Sequence, residues 1–346
     1  MTIQDTVCNF NNLYKAMWQC SKNIKWKNSV IKYLHNGLLN TYKLEHELST
    51  GAYHIGGYTK IMIHEPKERK VLAARLKDRN FQRSLCSNYL YHEITRHFIY
   101  DNLACQKHKG TSMARERMKV HFIKSYREYG LGGYAYVFDL HNFFGGTSHT
   151  VAKQAVKKHV TDTWAAKCVY DIIDSFDGDC GIGLGSEISQ LVELCVLDDL
   201  DHMIKEDLHI KHYLRYMDDF VIMHNDKAYL KYCYAKINDW MASHSFQLNT
   251  KKTHMVPLTK GFKWLGFYYH MTSTGKIIIN LPKKNIRHER RKLKKLCYLC
   301  KNGTISKDQL QACFESWKAH AMYGNNHYAV IKMTNFYNDT RRSNNV

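Results

Sequence analysis

Proline is scarce, with three residues in 346 at positions 66, 257 and 282, too few for a Pro-rich linker or recognition segment. Low-complexity stretches and internal repeats are missing as well, which excludes a repeat array. No run of about eighteen apolar residues occurs, so no helical membrane span is expected. The polar opening Met1-Thr2-Ile3-Gln4-Asp5 lacks the basic flank and apolar core of a signal peptide. A cytoplasmic protein that does not engage a membrane is the expectation. Acidic residues are in deficit: 31 Asp plus Glu stand against 51 Lys plus Arg, a formal net charge of +20. A partner dense in negative charge follows, and binding through phosphate contacts would weaken steeply with salt.

Closely spaced cysteines are also few. Eleven occur, at 8, 20, 86, 105, 168, 180, 195, 233, 297, 300 and 313, mostly inside apolar stretches. Buried thiols in a reducing compartment explain that scatter better than disulfides. Cys297 and Cys300 with Cys313 and His320 could be read as a zinc set, but two positions on one apolar helical face is the favoured reading. The run Asp174 to Asp179 lacks the twelfth-position glutamate of a calcium loop and reads as a turn. At 346 residues and 40.7 kDa the chain can bury a sizeable core as lobes of one catalytic unit.

What is present is an acidic turn. Tyr216-Met217-Asp218-Asp219 lies between Leu214 and the apolar run Phe220-Val221-Ile222-Met223, so it reads as a β-hairpin with two carboxylates at its tip. Hard oxygen ligands placed there suit two Mg²⁺ ions, which offset charge on the attacking and leaving oxygens of a phosphoryl displacement. A solvated turn is the plain alternative. A third carboxylate would separate the two, and Tyr134-Ala135-Tyr136-Val137-Phe138-Asp139 supplies one at the end of another apolar stretch, with Phe144 five residues further on.

In this order and spacing the chain resembles a prokaryotic reverse transcriptase, an RNA-directed DNA polymerase, closest in character to defence-associated or diversity-generating retroelement enzymes. The resemblance implies an α+β right-hand polymerase. Its N-terminal helical region and fingers would span residues 1–130, a palm of antiparallel sheet plus helices 131–280, and a small helical thumb 281–346. It further implies that Asp139, Asp218, Asp219 and the backbone carbonyl of Leu140 hold two Mg²⁺ ions, with Mn²⁺ as a substitute, and that Tyr216 and Met217 touch the substrate. Phe144 would pack where a ribose 2′-hydroxyl would sit and so favour dNTP over rNTP; core packing is the alternative.

Gly57-Tyr58 through Glu65-Pro66-Lys67-Glu68-Arg69, followed by Asp78-Arg79-Asn80-Phe81-Gln82, resembles the family's fingers. Lys67 and Arg69 would then meet the incoming triphosphate, whose charge needs cations beyond the metal, with solvated surface as the alternative. Leu184-Gly185-Ser186-Glu187-Ile188-Ser189-Gln190, running into the apolar-periodic stretch Leu191 to Ile204, resembles the glycine-to-serine motif. It puts Gly185, Ser189 and Gln190 on the substrate side, Ser189 as a contact or a helix cap. Leu184 stands where many relatives carry Gln, and Gln190 where they carry Pro. Leu248-Asn249-Thr250-Lys251-Lys252-Thr253 resembles the Lys-Thr element, making Lys252 a general acid for the leaving pyrophosphate and Lys251 a solvated neighbour. Gly261 to Phe267 resembles the hairpin that holds a primer end, with Trp264 and Gly266 against nucleic acid; a plain aromatic hairpin is compatible.

Residues 1 to about 50 look helical, with Trp18, Trp26, Tyr33 and Leu34 as a packing face. Ala104 to Thr111 is expected as a basic loop presenting Lys107 and Lys109 to nucleic acid. After Pro282, the basic segment Lys283 to Lys295 falls where the family has its thumb, so Arg290, Arg291 and Lys294 are expected on the duplex backbone. Ser306 looks like the N-cap of a helix carrying Leu310, Phe314 and Trp317, closed near Gly324. No nuclease region and no thumb Val-Thr-Gly motif occur, which sets the expectation against a mobile-intron or retron enzyme. Asp78 to Gln82 departs from the Asp-Arg-Val-Val-His form of diversity-generating enzymes, so the expected role is copying a dedicated noncoding RNA in antiviral defence. A diversity-generating role and a catalytically idle RNA-binding relative are the alternatives. Partners implied are RNA template, DNA product, dNTPs, a cognate noncoding RNA and an accessory protein, with oligomerisation open.

Overall fold

Four helices open the chain: α1 (Ile3–Cys8), α2 (Phe10–Ser21), α3 (Asn28–His35) and α4 (Gly37–Ser49). Strands β1 (Tyr58–Ile63) and β2 (Arg69–Ala74) follow, then α5 (Leu76–Leu85), α6 (Tyr91–Thr95) and α7 (Thr111–Tyr129). Next come β3 (Tyr134–Asp139), the single turn α8 (Phe143–Gly146), α9 (His149–His159), α10 (Thr163–Asp174), α11 (Glu187–Val196) and α12 (Asp198–His202). Strands β4 (His212–Tyr216) and β5 (Asp219–His224) lead into α13 (Lys227–Ser243) and β6 (His254–Pro257). The chain continues with β7 (Phe262–Trp264), β8 (Phe267–Met271), β9 (Ile277–Asn280), α14 (Lys283–Lys301), α15 (Lys307–Met322) and α16 (His327–Asn344). This computed structural model describes residues 2–64 and 68–344. Lys67, one of the two cations expected at the triphosphate, therefore lies outside the described residues. Among the described residues no helix is long and apolar enough to cross a membrane.

Sheet pairing follows the apolar pattern. β1 and β2 form an antiparallel hairpin from Tyr58–Ala74 to Ile63–Arg69, and a second sheet has the order β4-β5-β3-β6. In β5, Phe220 to Met223 are all buried, the unbroken apolar run of a strand covered on both faces. A third sheet has the order β7-β8-β9, its first two strands joined through Leu265 and Gly266, both at positive φ, the backbone that a two-residue hairpin loop demands.

Packing divides the chain into two compact units. The first comprises Met1–Ala114, Phe138–Phe220 and Lys231–Thr253. Here α2 lies against α4 and α5 and buries Leu13, Ala16, Met17 and Cys20, a complete i, i+3, i+4, i+7 stripe. The expectation that Trp18 and Trp26 pack inward is overturned: they are 41% and 74% exposed. Trp18 follows the inward Met17 by one residue and so falls off the stripe, and the Lys25 ammonium sits 4.7 Å from its ring centroid. The apolar stretch expected from Leu191 to Ile204 is likewise broken, at Leu197 (φ −99°, ψ 5°), where α11 ends and α12 begins.

The second unit comprises Arg115–Val137, Val221–Leu230 and His254–Val346. Its C-terminal helices share a core of Leu293, Cys297, Leu310, Phe314, Met333 and Tyr337, with Phe314 and Tyr337 stacked at 4.1 Å. Each such large side chain taken out of water contributes roughly 1.5–3 kcal/mol. Ser306 caps α15 in a reciprocal box with Gln309, as its position before Leu310 led one to expect. Cys297 lies inside the core and Cys300 packs beside it, the helical-face reading of that pair.

Candidate active site

The acidic turn is built on a buried charge. Met217, between β4 and β5, has φ 54°, a left-handed backbone that costs a non-glycine residue about 1–3 kcal/mol. Arg215, at the end of β4 and fully buried, donates from Nη1 to the Met217 carbonyl at 3.2 Å. The same guanidinium grips Asp201 of α12 with two bonds, Nε to Oδ1 at 2.7 Å and Nη2 to Oδ2 at 2.5 Å. Tyr213 also donates to Asp201. A sulfur contact from Cys105 to Met217 at 3.8 Å packs the other side. Sequence reading passed over Arg215; its signal was a lone cation in the apolar stretch leading to the turn.

Asp139, at the end of β3, is brought to this turn. Leu140, whose carbonyl the resemblance adds to the ligand set, donates its own amide to the Asp218 carbonyl at 3.4 Å. Phe138 and Phe220 stack beneath at 4.5 Å. The turn after β3 is then pinned from the Lys-Thr element. Asn249 N donates to the Asp139 carbonyl at 2.8 Å, and Asn249 Nδ2 donates to Asp139 Oδ2 at 3.0 Å. Lys252 Nζ forms an ion pair with Asp139 Oδ1. Lys252 therefore rests on the Asp139 carboxylate, a place that the expected proton-donor role did not foresee, and Asn249 is a residue that the sequence reading left without a role.

Electrostatics identify what the carboxylates lack. Burial raises the Asp219 pKa first, and the charges of Asp218 and Asp139 with a hydrogen bond to Asp139 raise it further. Asp218 is raised by burial and by Asp139, while Lys252 and Arg69 pull the other way. Among the described residues no three acidic, His or Cys side chains are already gathered closely enough to hold a metal. The donor set nevertheless fits a hard divalent cation: crowded carboxylate oxygens whose mutual repulsion a cation relieves.

A cavity of about 380 Å³ is lined by Arg69, whose charge acts on Asp218, and by Leu72, Asn142, Phe144, Ile182 and Leu184 among others. Arg69 and Phe144 are thus brought together on one cavity. Its far wall is held by backbone: Leu72 N donates to the Leu184 carbonyl and Ile182 N to the Phe144 carbonyl, each at 2.8 Å. Gly185, at φ +121°, lies so close to β2 that a Cβ would stand 2.8 Å from the Leu72 carbonyl oxygen. Ser189 corrects one expectation. Ser186 is the N-cap of α11, accepting from Ile188 N and donating to Gln82 at 2.9 Å, whereas Ser189 is buried within the helix with its Oγ unpartnered among the described residues. Gln190 is exposed and Tyr216 half-buried.

The residues expected on nucleic acid divide. In the first unit, Lys107 is exposed with its ammonium over the Tyr91 ring. Lys109 is instead spent internally, donating to the Tyr100 and Asn102 carbonyls at 2.9 and 2.8 Å; burial lowers its pKa. In the second unit, Trp264 is buried because it faces inward on β7, so its expected contact is corrected to a packing role, while Gly266 stays exposed at the hairpin tip. Arg290, Arg291 and Lys294 are exposed on α14.

No curated protein matches this chain. Among solved structures, telomerase from Candida albicans, in complex with the TWJ fragment of telomeric RNA, is similar at TM-score 0.52 and 12% identity, over 83% of this chain and 59% of that one. Apo telomerase from Candida tropicalis aligns at TM-score 0.49 and 10% identity, over 64% of this chain and 47% of its own. The chain thus spans about half to three-fifths of the length of these proteins. At such identity the Candida albicans likeness concerns the fold, a mixed α+β reverse-transcriptase-like polymerase. The family model described as Reverse transcriptase (RNA-dependent DNA polymerase) matches residues 71–269, more than half of the chain, and the protein belongs to that family.

Proposed function

We propose that this protein is an RNA-directed DNA polymerase that adds dNTPs to a primer with two Mg²⁺ ions, copying a dedicated noncoding RNA in antiviral defence. Reverse transcriptase domains generally use divalent metals such as Mg²⁺. The observation that carries the polymerase reading is the convergence of Asp139, from the end of β3, on the Asp218–Asp219 turn in a chain of this family. Bound there, the ions would offset charge developing on the attacking 3′-hydroxyl and the leaving pyrophosphate. Asp139, Asp218 and Asp219 supply the oxygens that hold them. Arg69, on the cavity wall, neutralises triphosphate charge. Phe144 fills the space of a 2′-hydroxyl, and Lys252, beside Asp139, carries the proton that the departing pyrophosphate takes up. The exposed basic positions of α14 track the duplex backbone as a thumb. The defence role draws its support from the Asp78 to Gln82 stretch, whose form departs from that of diversity-generating enzymes.

Primer extension on an RNA template tests the chemistry: Asp218→Asn should leave no detectable product, and synthesis at the wild-type rate would refute the assignment. Phage plating on cells carrying the gene with its flanking DNA, wild type against Asp218→Asn, tests the role. Equal plaque numbers for the two would remove defence from the reading.

A further inference from the structure

Thr147 closes the turn that carries Phe144, and its hydroxyl faces two oxygens at once. Oγ1 lies 2.9 Å from the Phe143 carbonyl and 2.9 Å from Oε2 of Glu193. A hydroxyl has one proton to give but two lone pairs with which to accept. When that proton goes to the Phe143 carbonyl, the contact with Glu193 is a hydrogen bond only if the carboxyl itself donates. Glu193 sits in the middle of α11 with no exposure, and its Oε1 is buried without a partner among the described residues. An ionised carboxylate stranded in that way would be costly, whereas a neutral acid leaves only a weak acceptor unpaired. Burial acts in the same direction, raising the Glu193 pKa well above the usual carboxylate range.

With Glu193 protonated, a relay would run from its carboxyl O–H to Thr147 Oγ1 and from Thr147 to the Phe143 carbonyl, in place of the alternative in which Thr147 donates to Glu193 Oε2. It pins a segment that has little stability of its own, because α8 is a single turn of four residues and isolated turns do not persist in water. On the opposite side the Phe144 carbonyl is held by Ile182 N at 2.8 Å, so the Phe144 backbone is fixed from two directions and its ring is set on the cavity wall.

We infer that Glu193, acting as a neutral acid that donates to Thr147, is a positioning residue that fixes the Phe144 ring and thereby sets the discrimination between dNTP and rNTP. The inference rests on the reading of Phe144 as the 2′-hydroxyl filter. Lone acids in apolar helices are easily passed over in sequence, and Glu193 was.

Donor-keeping and donor-losing variants separate this role from plain packing. The readout is the ratio of kcat/KM for dNTP to that for rNTP in Mg²⁺-supported primer extension, with Phe144→Ala as reference and thermal unfolding as the check on folding. Glu193→Gln keeps a donor and Thr147→Ser keeps the hydroxyl, so both should hold the wild-type ratio. Glu193→Leu and Thr147→Val should each lower it roughly threefold to tenfold, the scale of one lost hydrogen bond, through a gain with rNTP. Their combination should lower it no further than either alone, since both cut the same relay. If Glu193→Leu does not fold, the Thr147→Val and Thr147→Ser pair decides. A lowered ratio for Phe144→Ala with wild-type ratios for Glu193→Leu and Thr147→Val would overturn the inference while leaving the filter intact. An unchanged ratio for Phe144→Ala would instead remove the filter, and this inference with it.

Discussion

Arg215 and Asp201 are both fully buried, and the guanidinium that neutralises Asp201 also supports the strained Met217 carbonyl. Breaking such a pair on one side strands the other charge, which costs about 3–5 kcal/mol, whereas replacing both with apolar groups is far milder. Arg215→Met and Asp201→Leu should therefore each shift the urea midpoint strongly, and the double variant should recover much of the loss while synthesis stays impaired for want of the Met217 bond. Single variants as stable as wild type would show the pair to be dispensable. A second buried pair carries a pH signature. His159 directs Nε2 to Asp198 and Nδ1 to the Ala155 carbonyl, each at 2.8 Å, and two acceptors require an imidazolium. Burial alone would lower its pKa, but Asp198 and Ala155 outweigh it and raise the value above 6.5. The stabilisation is thus complete below the unfolded value and fades as pH rises through the raised folded one, so His159→Gln should cost more stability at about pH 6 than at about pH 9. Equal losses at both would contradict the charge assignment. The placement of Asp139 at a strand end and of Asp218 and Asp219 at a turn between strands was legible in sequence because apolar runs bracket them. Arg215, Asn249 and Glu193 were not, because each acts on a partner that only the fold brings near.

Among the elements, α14 carries the clearest division of labour. Leu293 and Cys297 face the core, with Ile286 packed against it, and Arg287, Arg290, Arg291, Lys294 and Lys295 are exposed. The Arg290 guanidinium and the Lys294 ammonium lie 4.6 and 5.8 Å from the Phe336 ring centroid of α16, so both charged groups rest over an aromatic face while the residues stay exposed. Charge reversal at Arg290, Arg291 and Lys294 should weaken binding to unrelated duplexes about equally and flatten log K against log salt by up to ~0.9 for each phosphate left without its cation. Unfolding is measured alongside, since the covering of Phe336 goes too. Wild-type affinity and slope in a folded variant would leave the helix a solvated face. The starts of α14 and α15 were readable from Pro282 and from the Ser306 cap because caps are local chemistry. The break at Leu197 was not, since apolar periodicity continues through it; Trp264 was expected on nucleic acid, although the alternation Phe262-Lys263-Trp264 leaves Lys263 on the exposed face and Trp264 on the buried one.

For the chain as a whole, the charge excess and the acidic turn make separable contributions. Neutralising Asp139 as Asp139→Asn changes the formal net charge only from +20 to +21, a negligible step for an interaction governed by many phosphate contacts. The same change removes one of the three carboxylates proposed to hold the metal, where several kcal/mol of transition-state stabilisation would be at stake, and ~4 kcal/mol already corresponds to about a thousandfold in rate. RNA affinity and its salt slope should therefore match wild type in filter binding while primer extension on the same preparation falls at least about a thousandfold. Chelation of divalent metal should reproduce that split in the unmodified protein. Parallel loss of binding and synthesis would instead place the RNA on the carboxylates themselves, and would leave the +20 surface without the role assigned to it.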